Sequence, residues 1–362
     1  MHLRLSPFDN RVVDIKFFDH NGLDIDTATE RKIESVFFRE DYRRVYLEEI
    51  GRINRAENVG KIYTDAFFQA LRPEALSALS HHFNLAIDYA HANASTILPS
   101  ILRRLEVSAV ELNSNLDDTR LFQTTEEFDA GMQRLASITP VLAAHMGVRI
   151  DSGGERIFLV DDQGRRLPNI QALAAVTALA MAVNGGGTVA VPVTAPRVFE
   201  EIAARYGGKI VRTRATLAAL MRTAFENRNM LLLGDGSGSF IFPGLYPIAD
   251  GLFAIVKIME LLTLRGTSLS NVVRELPPYY LSQTRVPCRW EHKGKVMRIL
   301  NQQYQDRRLE LVDGIKIDLG QEWVLILPDT DGPFFHIIAE GSSDAQAQVL
   351  TEKYAGLVTG LQ

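Results

Sequence analysis

Three short runs of the chain carry residue types that could bind a metal, sugar hydroxyls or phosphate. In Asp151-Ser152-Gly153-Gly154-Glu155-Arg156, two carboxylates flank a glycine-rich stretch. Carboxylate oxygens suit Mg²⁺, which wants near-octahedral oxygen ligation. Two of them hold it weakly unless water or phosphate completes the shell, and the same residues equally suit a turn with solvated acids. In Gly234-Asp235-Gly236-Ser237-Gly238-Ser239, Asp235 and Ser237 offer directional acceptors for hydroxyl groups. That run also fits a tight turn between strands. In Leu327-Pro328-Asp329-Thr330-Asp331-Gly332-Pro333, two carboxylates crowd one turn. They repel a phosphate dianion, and acids at turns are commonly solvated turn formers. Asp250 heads an apolar stretch, where a carboxylate favours a helix N-terminus. The one cysteine, Cys288, reads as a packed apolar residue.

These runs sit between elements that alternate. Val12 to Phe18 reads as a strand and Asn21-Gly22 as a turn; a helix follows from about Thr29 to Arg39, with Asp26 or Thr27 as N-cap. From Asn84 the pattern is βα: strands at 84–89, 107–112 and 141–146, and helices at 95–105 and 125–135. The rhythm restarts after Gly147, with strands at 156–160, 188–193, 209–212 and 230–233, and helices at 170–183, 196–206 and 250–264. Two similar units with a boundary near residue 150 are expected. After Pro277-Pro278, strands segregate from a few helices, which predicts an α+β unit.

Composition bounds the function. The 362 residues are 46% hydrophobic and 23% charged, a globular balance. The formal net charge of -5 gives no basic footprint for nucleic acid. The most apolar stretch, Ala172 to Val183, is shorter than the roughly 20 residues that span a bilayer. Neither nucleic acid nor membrane is expected as a partner. With a single cysteine no intramolecular disulfide forms, which fits a reducing, cytoplasmic setting.

The three runs, in this order, resemble those of phosphohexomutases, the family of phosphomannomutase, phosphoglucomutase and phosphoglucosamine mutase. The family pattern Asp-x-Asp-Gly-Asp-Arg, a Mg²⁺ loop, aligns with Asp151 to Arg156, where Gly153 replaces one Asp and Glu155 another. The sugar loop Gly-Glu-x-Ser-Gly-His aligns with Gly234 to Ser239, and Asp-Asp-Gly with Ala249-Asp250-Gly251. The phosphate loop Arg-x-Ser-x-Thr-x-Pro aligns with Leu327 to Pro333; Leu327 takes the place of the Arg, and Asp329 and Asp331 the places of the hydroxyls. Pro192 and Ala215 stand where the family carries a Lys and a His. Counting back from Ile15-Lys16-Phe17 puts Ser6 at the phosphoserine position, among Pro7, Phe8 and Asp9. Leu5 to Asp9 and Arg39 to Arg44 also look like the mutase-like region of fusions that begin with a mannose-1-phosphate guanylyltransferase.

The resemblance implies an α/β fold: two repeated phosphohexomutase-type α/β/α domains and a C-terminal α+β domain, with the first family domain largely missing. The implied divisions are 1–45 (remnant of the first domain and linker helix), 46–150, 151–275 and 276–362. It implies Asp151 and Glu155 as a degraded metal pair holding Mg²⁺ weakly or not at all. Arg156, Asp235, Ser237 and Asp250 become substrate-binding residues, Ser6 an inactive counterpart of the phosphoserine, and no phosphate-binding residue is retained. Two functions stay open. One is a module with little or no catalysis that binds a hexose phosphate or associates with a nucleotidyltransferase domain or subunit. The other is an active mutase interconverting hexose 1- and 6-phosphates. An exposed apolar face near residues 12–18 is expected, and with it a homodimer.

Overall fold

The computed structural model describes residues 1–5, 12–80 and 83–362. The chain opens with an antiparallel ribbon, β1 (His2–Leu5) on β2 (Val13–Lys16), with His2 opposite Lys16. Asp19 closes the following turn by accepting the amides of Asn21 and Leu23 through Oδ1, and Gly22 supplies its left-handed φ of 74°. Helix α1 (Thr27–Phe38) starts where a cap was expected: Asp26 Oδ1 accepts from Thr29 N at 2.7 Å. No residue of α1 is buried, and Val12, Val13, Ile15, Phe37 and Phe38 are all exposed. Helices α2 (Val59–Gln69) and α3 (Pro73–Leu79), which the sequence pattern does not announce, anchor this region through Phe67, whose ring meets Phe253 edge-on at 5.0 Å.

Two sheets follow, and they have the same design. The first comprises β3 (Asn84–Asp88), β4 (Ser108–Leu112), β5 (Met146–Ile150) and β6 (Ile157–Asp161), with α4 (Leu98–Arg104) and α5 (Thr125–Val141) as crossovers. Its order is β4-β3-β5-β6; the first three strands are parallel and β6 is antiparallel to β5. The second contains α6 (Asn169–Asn184), β7 (Gly187–Pro192), α7 (Val198–Tyr206), β8 (Gly208–Thr213), α8 (Leu217–Glu226), β9 (Leu232–Gly234) and β10 (Phe240–Ile241). Its order, β8-β7-β9-β10, repeats the first: three parallel strands and one antiparallel edge. Then come α9 (Gly251–Arg265) and α10 (Leu269–Arg274).

Two differences from the sequence reading have clear causes. The strand expected at 141–146 is the end of α5 and the start of β5. A full capping box, Thr124 with Glu127, nucleates α5, and its buried stripe of Met132, Leu135, Ala136 and Thr139 carries it on past the expected stop. Strand β6 lies beyond residue 150 yet pairs with β5, so the hairpin bearing the 151–156 loop completes the first sheet. Helices α6 and α9 are largely apolar and enclosed: one continuous core runs from Phe67 to Val272 and joins both sheets.

The C-terminal unit is antiparallel throughout: β11 (Tyr280–Pro287), α11 (Trp290–Gln303), β12 (Leu309–Glu310), β13 (Ile315–Asp318), β14 (Trp323–Pro328), β15 (Phe334–Gly341) and α12 (Asp344–Gly360). The sheet order is β11-β15-β14-β13-β12, with its own core around Val296, Phe335 and Tyr354. Cys288 is buried there, and burial pushes its thiol up, as a packed apolar residue requires. No described helix is long and apolar enough to cross a membrane.

Candidate functional site

The 151–156 loop is the β5–β6 turn. Asp151 Oδ1 does not face outward as a ligand. It accepts the backbone amides of Glu155 (2.8 Å) and Arg156 (3.0 Å), while Gly154 N donates to the Asp151 carbonyl. Burial raises the Asp151 carboxyl above its ordinary value, and the neighbouring Glu155 adds to that. Glu155 Oε1 is held by Lys16 Nζ at 2.8 Å, and the same ammonium lies 3.3 Å from Asp24 Oδ2. Gly153 contributes no side chain. Among the described residues no group of three or more His, Cys, Asp or Glu side chains could hold a metal ion. The donor set therefore does not fit Mg²⁺: one carboxylate oxygen is spent on the turn and the second carboxylate is already neutralised by a lysine.

Beside this loop lies a cleft of about 330 Å³, lined by Phe128, Arg149, Asp151, Arg156 and Phe158 among others. Arg149, only 3% exposed, forms a buried pair with Asp88 (1% exposed): Nη1 to Oδ2, 2.5 Å. Its second Nη donates to Gln123, and Asp88 Oδ1 accepts from Ala90 N and from Asn113 Nδ2. Sequence reasoning did not single out Arg149, because nothing local distinguishes an arginine on a strand from a surface one.

The sugar-loop counterpart is the turn between β9 and β10. Asp235 Oδ1 accepts the amides of Ser237 (2.7 Å) and Ser239 (3.0 Å), so this carboxylate also closes its own turn. Ser237 is exposed and Ser239 buried. Arg156 and Ser239 form an isolated β-bridge, which brings the first and second loops together. Asp250 is the N-cap of α9: Oδ1 accepts from Phe253 N at 2.9 Å, and both oxygens accept from the Tyr63 hydroxyl. Burial pushes the Asp250 carboxyl up. Pro192 ends β7, its carbonyl accepting from Arg212, and Ala215 N donates to Asp313. Ser6 lies outside the described residues.

The phosphate-loop counterpart joins β14 to β15. Asp329 Oδ1 accepts the amides of Asp331 (2.8 Å) and Gly332 (2.6 Å), and Oδ2 lies 2.7 Å from His336 Nε2. Burial works against ionisation of Asp329, but the His336 contact and the two amides outweigh it and hold the carboxyl below its ordinary value. A lysine does enter the loop. Lys293, from α11, donates to the carbonyls of Asp329 (2.6 Å) and Gly332 (2.5 Å) and sits 3.9 Å from the Trp290 ring centroid. Its donors are thus turned onto the loop's own carbonyls, and its proton affinity is lowered by desolvation. On α1, partial desolvation raises the carboxyl of the exposed Glu30, and the charges of Glu34 and Asp331 raise it further.

Comparison with known proteins agrees with this layout. Residues 169–280 match the model for phosphoglucomutase/phosphomannomutase, alpha/beta/alpha domain III. A phosphoglucomutase/phosphomannomutase of Thermococcus kodakarensis is 27% identical over 93% of this chain and 74% of its own length. The chain is similar to phosphohexomutases over most of its length. Phosphohexomutase relatives also include the phosphoglucosamine mutase of Methanocaldococcus jannaschii, 24% identical over 95% of this chain and 77% of its own. Among solved structures, a phosphoglucomutase/phosphomannomutase family protein of Burkholderia thailandensis superposes with a TM-score of 0.75 at 15% identity, covering 93% of this chain and 72% of that one. At a TM-score of 0.57 and 11% identity, over 83% of this chain and 69% of that one, the Aspergillus fumigatus N-acetylphosphoglucosamine mutase was solved with GlcNAc-6P and magnesium.

Proposed function

We propose that this chain is a phosphohexomutase-fold protein of sugar-phosphate metabolism with little or no mutase turnover of its own. It works as a cytoplasmic module that binds a hexose phosphate weakly or associates with a nucleotidyltransferase domain or subunit. The observation that carries the reading is the orientation of the acids. Asp151, Asp235, Asp250 and Asp329 each accept backbone amides of their own turn or helix. Side chains committed to holding backbone are poor ligands, since recruiting them leaves buried amides unpaired. The phosphate loop adds a second argument. Its lysine, Lys293, is spent on loop carbonyls. A guanidinium clamp, the usual answer to a phosphate dianion, has no counterpart at Leu327.

Similarity to phosphohexomutases favours the second reading, an active phosphomannomutase or phosphoglucomutase working through Ser6 and Mg²⁺. Calorimetric titration with mannose 1-phosphate and glucose 1-phosphate, beside a coupled mutase assay with Mg²⁺, separates the two. Binding without turnover, or no binding, is the expected outcome. Turnover that disappears in Ser6→Ala would refute the proposal.

A further inference from the structure

We infer that the ammonium of Lys16 is the resident cation of the 151–155 loop, so that the loop is neutralised by the protein itself and does not take up a divalent metal. The inference rests on geometry and stands whether or not the chain turns over a sugar phosphate. Lys16 comes from β2, far away in sequence, and its Nζ reaches Glu155 Oε1 at 2.8 Å and Asp24 Oδ2 at 3.3 Å. The three side chains are 22%, 29% and 18% exposed, so the contact is partly withdrawn from water. Nζ also lies 5.8 Å from the Phe18 ring centroid, inside the range of a cation–π contact.

An ammonium and Mg²⁺ make different demands. Lysine has three N–H donors and is satisfied by two or three acceptors in loose geometry. Mg²⁺ needs six oxygens at roughly 2.0–2.1 Å and gives up water reluctantly. Here the acceptors suit the first demand. Glu155 and Asp24 approach from separate elements, Asp151 Oδ1 is turned away onto the amides of Glu155 and Arg156, and position 153 is glycine. To enter, a divalent ion would have to evict Lys16, and it would find one free carboxylate on the loop. The arrangement also ties the N-terminal ribbon to the turn that follows β5: docking β2 is what supplies the charge.

The test needs no activity. Thermal melts and calorimetry of the full chain with Mg²⁺ and with Mn²⁺ are expected to give no 1:1 binding, and no midpoint shift beyond that of sodium chloride at equal ionic strength. A 1:1 site that Glu155→Gln abolishes would overturn the inference. Hydrogen exchange then reads the loop directly. Lys16→Met is expected to speed exchange at the amides of Glu155 and Arg156 by up to about five-fold, the upper end for an ion pair of this exposure. Glu155→Gln should do the same, and the double variant no more than either alone. Lys16→Arg, which keeps a cation, should restore protection. Exchange unchanged in both single variants, or additive in the double, would count against Lys16 as the loop's counter-ion.

Discussion

Replacing Arg149 by methionine tests the deepest electrostatic contact beside the candidate site. The guanidinium is 3% exposed and its partner Asp88 1%, and they meet at 2.5 Å. Methionine keeps much of the aliphatic volume but strands Asp88, whose Oδ1 retains Ala90 N and Asn113 Nδ2 while Oδ2 loses its charged donor. Orphaning one half of a buried pair costs about 3–5 kcal/mol, a large share of the 5–15 kcal/mol, roughly, that holds a domain together. The geometry supplies an internal control. Gly131, on α5, packs against this side chain so closely that an added Cβ would lie 1.8 Å from Nη1 and 2.8 Å from Cζ. Gly131→Ala should therefore destabilise by a few kcal/mol in the natural background, about the same order as losing the pair. Once Arg149 is methionine, the same change should turn neutral or favourable by up to about 1 kcal/mol, the ordinary gain of alanine over glycine within a helix. Urea unfolding followed by far-UV circular dichroism measures both. Tryptophan fluorescence complements it, since Trp290 and Trp323 belong to the C-terminal unit, and it should respond less. Gly131→Ala costing equally in both backgrounds, or a natural midpoint for Arg149→Met, would refute the reasoning.

Lys316 gives a pH signature. Desolvation foremost, and Arg212 nearby, lower its pKa from 10.5 to about 8. Between those values the unfolded chain binds more protons than the native state, so this lysine makes stability rise with pH across that window. The whole shift corresponds to about 3 kcal/mol. Thermal melts from pH 7 to 10 should show the natural protein gaining on Lys316→Met as pH rises; parallel curves would discount the shift. For the phosphate loop, Leu327→Arg with Asp329→Ser and Asp331→Thr should create measurable binding of inorganic phosphate by calorimetry where the natural chain shows none. The failure of that variant to bind, with its fold intact by circular dichroism, would show that loop charge is not what excludes the anion.

How far the fold could be read ahead of the structure depended on where each signal lives. The βα alternation from Asn84 onward was legible because apolar runs, glycine stops and caps are local features, and the observed strands fall within a few residues of their expected places. Asp26 is the cap it was expected to be. Where the reading slipped, a distant partner decided. Val141 is too weakly patterned to betray the end of a helix, and the β5–β6 pairing that carries the metal-loop counterpart past residue 150 depends on strand register. Helix α2 meets α9 through the aromatic contact of Phe67 with Phe253, which no short window contains.

For the candidate site, the sequence by itself determined the chemical inventory: which carboxylates, hydroxyls and glycines stand in each loop, and that Leu327, Asp329 and Asp331 occupy the phosphate turn. Residue type fixes charge and hydrogen-bonding capacity, and those are properties of single positions. Only the tertiary structure decided how that capacity is spent. It turned Asp151, Asp235 and Asp329 onto their own backbone amides, set Lys16 against Glu155 and Lys293 inside the phosphate turn, and buried Arg149 with Asp88. A carboxylate serves a ligand or the backbone according to which partner lies within about 3 Å, and a distance between remote residues is set by the packing of whole elements.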